Sequence, residues 1–234
     1  MALRAEQHKA ELIAQVMELA EKRLDRERVG TVARFLSAFY ANVPPDDVLS
    51  ESPEDLFGAA LSLWNFGAQR KPGTAKLRIY NPTVAEHGWR SSHTIVEIVN
   101  DDMPFLVDSV TAALNLRDLT VFLVIHPILK VERDADGRML SCATAGEGIS
   151  ESFMQVRIAE QTAPDRLEEI RADLERVLTD VRAAVGDWRA MRGKVAEILA
   201  ELERNPPDLP ADELEEARAF LRWIDDDHYT FLGY

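Results

Sequence analysis

Five histidines, one cysteine and the acidic runs Asp101-Asp102 and Asp225-Asp226-Asp227 are the residues of this 234-residue chain that could carry chemistry. His8, His87, His93, His126 and His228 include no pair at the i, i+4 spacing that places two imidazoles on one helix face for zinc, so no metal site is expected. Cys142 has no histidine near it in sequence and reads as a small hydrophobe. No G-x-S-x-G, P-loop or G-x-G-x-x-G occurs, so neither catalytic residues nor coenzyme-binding residues are assigned. Gly146-Glu147-Gly148 is a two-glycine loop without the third glycine or a following helical pattern. Asp225-Asp226-Asp227-His228 resembles a hard-cation cluster, but consecutive helical residues point in different directions and cannot all hold one ion. Acids at a helix C-terminus also oppose the dipole, which hints at a partner from outside this sequence.

The segment singled out is Asp101-Asp102-Met103-Pro104-Phe105, together with Asp108. It joins an apolar strand pattern to a helix start, where free backbone N–H groups and the dipole favour an anion such as an α-carboxylate. The structural alternative has Asp102 capping the helix, Asp101 solvated and Pro104 in the first helical turn. Both readings stand on the sequence alone.

The elements that would position this loop follow from periodicity. Leu12, Val16 and Leu19, then Val32, Leu36, Phe39 and Tyr40, recur at helical spacing, and Pro44-Pro45 ends the second run. Ser52-Pro53-Glu54-Asp55 is a helix start with a serine cap and acids at the positive end of the dipole. Around Leu77 and Ile79 the period changes to two, and Thr94 to Val99 reads as a strand buried on most of both faces. Leu106, Val110, Ala113 and Leu114 mark a helix, and Thr120 to Ile125 a strand that His126-Pro127 interrupts and Ile128 to Val131 resumes, with an edge or a bulge at the proline. Asp136-Gly137 is a hairpin turn, and Met154, Val156 and Ile158 form a further strand. Leu167 to Val185 and Met191 to Leu202 carry helical stripes, residues 205–210 are a proline-rich linker, and Leu214 to Ile224 is a last helix.

The expected fold is therefore α+β: a central ferredoxin-like sheet with helices on one face, flanked by N-terminal and C-terminal helices. The expected parts are a helical segment at 1–74, an α+β domain at 75–186 and a helical segment at 187–234. A chain of this length can bury about 70% of its unfolded surface, so it needs no disulfide staples. Net charge is −14. Residues 41–60 hold five acids and no base, and residues 205–234 eight acids and two bases. That balance argues against a nucleic-acid partner. No 18-residue apolar window and no signal sequence are seen, so no membrane partner and a cytoplasmic location are expected.

Several blocks resemble the N-terminal region of the large bacterial NAD-specific glutamate dehydrogenases. They are His87-Gly88-Trp89, Val99 through Val110, Leu123 to Pro127, Glu151-Ser152-Phe153-Met154, Phe220 to Trp223 and Asp226 to Tyr234, in the family's order from about Phe35 onward. The resemblance implies a much longer parent with ACT-like regulatory modules ahead of a catalytic domain, which uses NAD to deaminate glutamate to 2-oxoglutarate and ammonia. It makes this sequence a piece of that parent, with its ACT-like module at 75–186. Partners would be the rest of the parent chain and sister subunits in a homo-oligomer, with an amino acid as candidate effector at the 101–108 loop. The piece itself would hold no cofactor. ACT loops commonly carry a glycine where Phe105 stands here, and a phenylalanine would obstruct a ligand's approach to the backbone.

Overall fold

A computed structural model of the chain describes residues 2–232. Its contacts divide into two units, one ending at Leu178 and one beginning at Thr179.

The first unit opens with four helices, α1 (Ala2–Arg23), α2 (Arg26–Ala41), α3 (Pro45–Leu49) and α4 (Pro53–Gly67). Local chemistry sets their ends. Asp25 caps α2 by accepting from Arg28 N, and Ser52 caps α4 by accepting from Asp55 N. Pro45 and Pro53 occupy first-turn positions, where the missing N–H costs nothing.

A six-stranded antiparallel sheet follows: β1 (Lys76–Tyr80), the short helix α5 (Val84–His87), β2 (Thr94–Asp101), α6 (Leu106–Asn115), β3 (Val121–Ile125), β4 (Ile128–Arg133), β5 (Met139–Ala143) and β6 (Ile149–Ile158). The helix α7 (Pro164–Gly186) begins in this unit. Spatial order is β1-β2-β6-β4-β5, with β3 also on β6. β3 and β4 are two halves of one line along β6, broken at His126-Pro127, and Phe153 N donates to Pro127 O at 3.0 Å across the break. The sequence marks this break correctly. A register shift at Phe122 adds a bulge that leaves its ring 55% exposed. The β2-α6-β3/β4-β6-α7 order, with β6 between β2 and β3/β4, is the ferredoxin-like arrangement expected. The edge beside β2 is taken by β1, which precedes it in the chain.

Strand alternation separates two faces of β2 and β6. Val99 and Phe153 join Phe35, Leu36, Leu63 and Trp64 in one hydrophobic core, so α2 and α4 cover that face and α1 packs against them. Val96, Ile98, Met154, Val156 and Ile158 face the other way and are fully buried. Among the described helices of this unit, α6 and α7 remain to cover them, through Leu106, Val110, Leu114, Ile170 and Leu174. Arg117 at the end of α6 ties the two helices by pairing with Asp173. Helices thus lie on one face of the ACT-like sheet as expected, and the N-terminal helices close the second face. Gly67 permits the close approach: a Cβ there would stand 2.3 Å from Phe153 Cε1.

The second unit contains the end of α7, α8 (Trp188–Arg204) and α9 (Ala211–Trp223), followed by a π-helical turn at Ile224–His228. Arg192 of α8 binds Asp225, with Nε 2.8 Å from Oδ1 and Nη2 2.8 Å from its carbonyl oxygen. Asp225, the first acid of the run, therefore has a partner within the chain. The Asp227 side chain, Gly233 and Tyr234 lie outside the described residues. No described helix is long and apolar enough to cross a membrane.

Candidate functional site

The loop between β2 and α6 is built on the ends of two neighbouring strands. Asp101 is the last residue of β2 and pairs directly with Glu151 of β6. Its carboxylate accepts from Arg70 Nη2 at 2.8 Å and from Gly73 N at 3.0 Å. The expected solvated Asp101 is thus corrected to an anchored one. Arg70 also meets Glu151, whose carboxylate is bound a second time by Arg133, with Nε 2.7 Å from Oε1. Arg70 and Glu151 have fully buried side chains, and burial is sustained because each charge has a partner.

Asp102 donates its N–H to Ser150 O at 2.9 Å, which extends the β2–β6 pairing by one step. It does not cap α6. The N-cap position belongs to Phe105, without any side-chain hydrogen bond, and Pro104 precedes the helix instead of standing in its first turn. The reason is backbone conformation. Phe105 has φ 67°, in the left-handed region, and that turn carries the chain from strand to helix in four residues. A glycine would adopt this conformation at no steric cost. The ring is 43% exposed. Met103 is half-buried and Pro104 exposed. Asp108 is exposed in the first turn of α6, where its charge suits the dipole.

His126 joins this end of the sheet from the β3–β4 break. Its Nε2 lies 2.5 Å from Ser152 Oγ. Burial holds its pKa below the ordinary value, against an opposing pull from the Asp102 carboxylate. Asp102, His126 and Ser152 therefore gather beside the loop, while Asp101 and Asp108 are turned to other tasks.

Sequence reasoning misses a second group of polar side chains on the face toward α4. Arg78, Glu97 and Gln155 stand in one row across β1, β2 and β6. Glu97 is fully buried and accepts from Arg78 Nε (2.6 Å), Tyr80 OH (3.0 Å) and Gln155 Nε2 (3.1 Å). Desolvation raises its pKa, opposed chiefly by Arg78. Gln155 also donates to Ala59 O, which pins the row to α4. The one available signal was the lone Glu97 within an otherwise β-branched strand. Cys142 is 1% exposed, and burial pushes its thiol up to about 11, so it is an inert core residue at neutral pH.

The geometry also bears on a dinucleotide. Gly146 and Gly148 have φ 120° and 113° in the short connection from β5 to β6, which run parallel on either side of β4. A Cβ on Gly148 would stand 2.8 Å from Val131 O. These glycines therefore serve a tight strand connection and present no helix N-terminus to a pyrophosphate. They do not fit a coenzyme cradle.

A family model described as the glutamate dehydrogenase ACT1 domain matches residues 35–174. The chain is 40% identical over 235 residues to an NAD-specific glutamate dehydrogenase of Halomonas elongata, covering 98% of this chain. It is 33% identical over 230 residues to the protein of the same description from Pseudomonas aeruginosa, covering 97%. A third, from Mycobacterium tuberculosis, is 27% identical over 144 residues, 59% of this chain and 9% of the relative. The chain spans 14% of the length of the first two relatives.

Proposed function

The chain belongs to the glutamate dehydrogenase ACT1 domain family, and on that premise we propose that it is a non-catalytic regulatory and assembly segment of a large NAD-dependent glutamate dehydrogenase. The parent would oxidise L-glutamate to 2-oxoglutarate and ammonia with NAD bound elsewhere in its length. The ACT-like body would be residues 75–186, between helical segments at 1–74 and 187–234.

The observation that carries the assembly reading is the edge of β3. Val121 to Ile125 is five consecutive apolar residues, and no described strand pairs with its outer side. An apolar edge free of charge and proline is a template for another chain. Its occupant would be a sister subunit or another part of the parent. The test is deletion of residues 35–174 from the full-length enzyme. The expected result is retained glutamate oxidation with an altered subunit assembly. Loss of all turnover in a protein that still sediments as the native oligomer would refute the proposal.

A second reading, amino-acid sensing at 101–108, draws support from the Asp102, His126 and Ser152 group beside the loop. Calorimetry with a panel of amino acids, repeated with Asp102→Ala, separates the two. Absence of heat with every ligand would remove this reading.

A further inference from the structure

A cleft of about 390 Å³ opens between α1, α4, β1 and α5, and its lining includes Arg23, Asn65, Arg78, His87, Phe57 and Leu61. It is separate from the 101–108 loop. Its chemistry is unusual for a chain of net charge −14, because the polar groups that line it are mostly donors.

Arg23 ends α1 with its guanidinium 5.8 Å from the Phe57 ring centroid, and it has no carboxylate partner among the described residues. Arg78 spends Nε on Glu97 and Nη2 on Ser62 O (3.0 Å) and Ser62 Oγ (2.7 Å), which leaves Nη1 without a hydrogen bond among the described residues. His87 stacks on Tyr80 at 4.7 Å, and its Nδ1 accepts from Thr83 N at 3.2 Å. That bond places the proton of the neutral ring on Nε2 and makes it a donor. Asn65 Oδ1 accepts from Arg28 Nη2 at 2.9 Å, so its amide nitrogen is the group left to donate. Glu86 is the one carboxylate in the lining; its Oε2 lies 3.9 Å from His87 Nδ1, the ring nitrogen that already accepts from Thr83, and its side chain is 75% exposed. Phe57 and Leu61 supply apolar surface beside these donors.

Surplus donors and an unspent guanidinium next to an apolar wall are complementary to an anion with an apolar body. The volume is near the lower limit of about 300 Å³ for ligand pockets, which fits a ligand of amino-acid to mononucleotide size. We propose that this cleft is a binding site for a small organic anion, with its carboxylate or phosphate head on Arg23, Arg78 and His87 and its body against Phe57 and Leu61. The proposal goes beyond the assembly reading and does not depend on it.

The test titrates the 234-residue chain with phenyl phosphate, 3-phenylpropanoate and neutral 2-phenylethanol, following the His87 and Phe57 NMR signals. Saturable shifts are expected with at least one of the two anions, and the tighter of the two identifies the head group. Arg23→Gln should weaken that binding by about tenfold or more, because it removes a charge-assisted contact. Arg23 is exposed, so the melting temperature should not change. Arg23→Lys should restore part of the affinity. No saturation with either anion, equal binding of the alcohol, or unchanged affinity in Arg23→Gln would each overturn the proposal.

Discussion

Asp101 and Glu151 stand directly opposite one another at the end of the β2–β6 ladder. Like charges in register repel, and one strand end should fray. Arg70 prevents this by placing Nη2 2.8 Å from Asp101 Oδ1 and 2.7 Å from Glu151 Oε1. The first acid of the loop is therefore a strut, and the variable chemistry of this sheet end is left to Asp102 and His126.

Removing that bridge should be costly. Arg70→Met keeps much of the volume but leaves two facing carboxylates with Arg133 as the remaining cation on Glu151. A loss of about 3–5 kcal/mol is expected in urea denaturation, the usual cost of orphaning a buried charge. A loss below about 1 kcal/mol would mean that the acids are solvated after all.

Phe105 offers the opposite case. A left-handed conformation costs a non-glycine residue about 1–2 kcal/mol, whereas glycine pays about 0.5–1 kcal/mol in chain entropy. Phe105→Gly should therefore be neutral to stabilising, by up to about 1 kcal/mol, read as a shift of the denaturation midpoint. Phe105→Val should be clearly destabilising, since a β-branched residue tolerates positive φ least. A large loss in Phe105→Gly would show that the ring holds the loop by packing.

Much of this architecture was readable from local signals. Ser52-Pro53, Asp136-Gly137 and His126-Pro127 each act within a few residues, and each marks the boundary that it predicts. The apolar stretch from Thr94 to Val99 likewise fixes β2 as buried on both sides. What escaped is non-local. Arg70 meets Glu151 across 81 residues, and a charged residue reveals no burial until its partner is known. Lys76, Arg78 and Tyr80 alternate with Leu77 and Ile79 in the pattern of a half-buried strand, yet Lys76 and Arg78 donate to the carbonyls of Phe66 and Ser62 in α4. Asp102 was open to reading as a cap because positive φ at Phe105 has no sequence signature in a residue that rarely adopts it. The place of the 101–108 loop between a strand and a helix was legible, while the approach of His126 and Ser152 to it depends on strand register.

The contact between α4 and the sheet can be probed at Gly67. Alanine is a better helix former, but its Cβ would collide with the Phe153 ring at 2.3 Å. Overpacking of this kind costs about 1–3 kcal/mol, more than the helix gain of about 1 kcal/mol. Gly67→Ala should therefore destabilise the first unit, measured by chemical denaturation. Stabilisation would mean that α4 stands off the sheet.

Acid should weaken the fold through two histidines. Burial lowers the pKa of both His93 and His126 below 6.5. Below that value the unfolded chain takes up protons that the folded one resists, so stability is lost as pH falls from 6.5 through the folded pKa values. His126→Gln should lose less stability than the unsubstituted 234-residue chain between neutral pH and mildly acidic pH. Denaturation midpoints across that range provide the check, and parallel curves for the two proteins would contradict it.

The central claim, that this polypeptide serves a glutamate dehydrogenase without itself performing the reaction, is tested most directly by assaying the purified chain with L-glutamate and NAD. The expected result is NADH formation no faster than in the protein-free blank. Sustained NADH production by the chain, abolished by a variant within it, would contradict the claim outright.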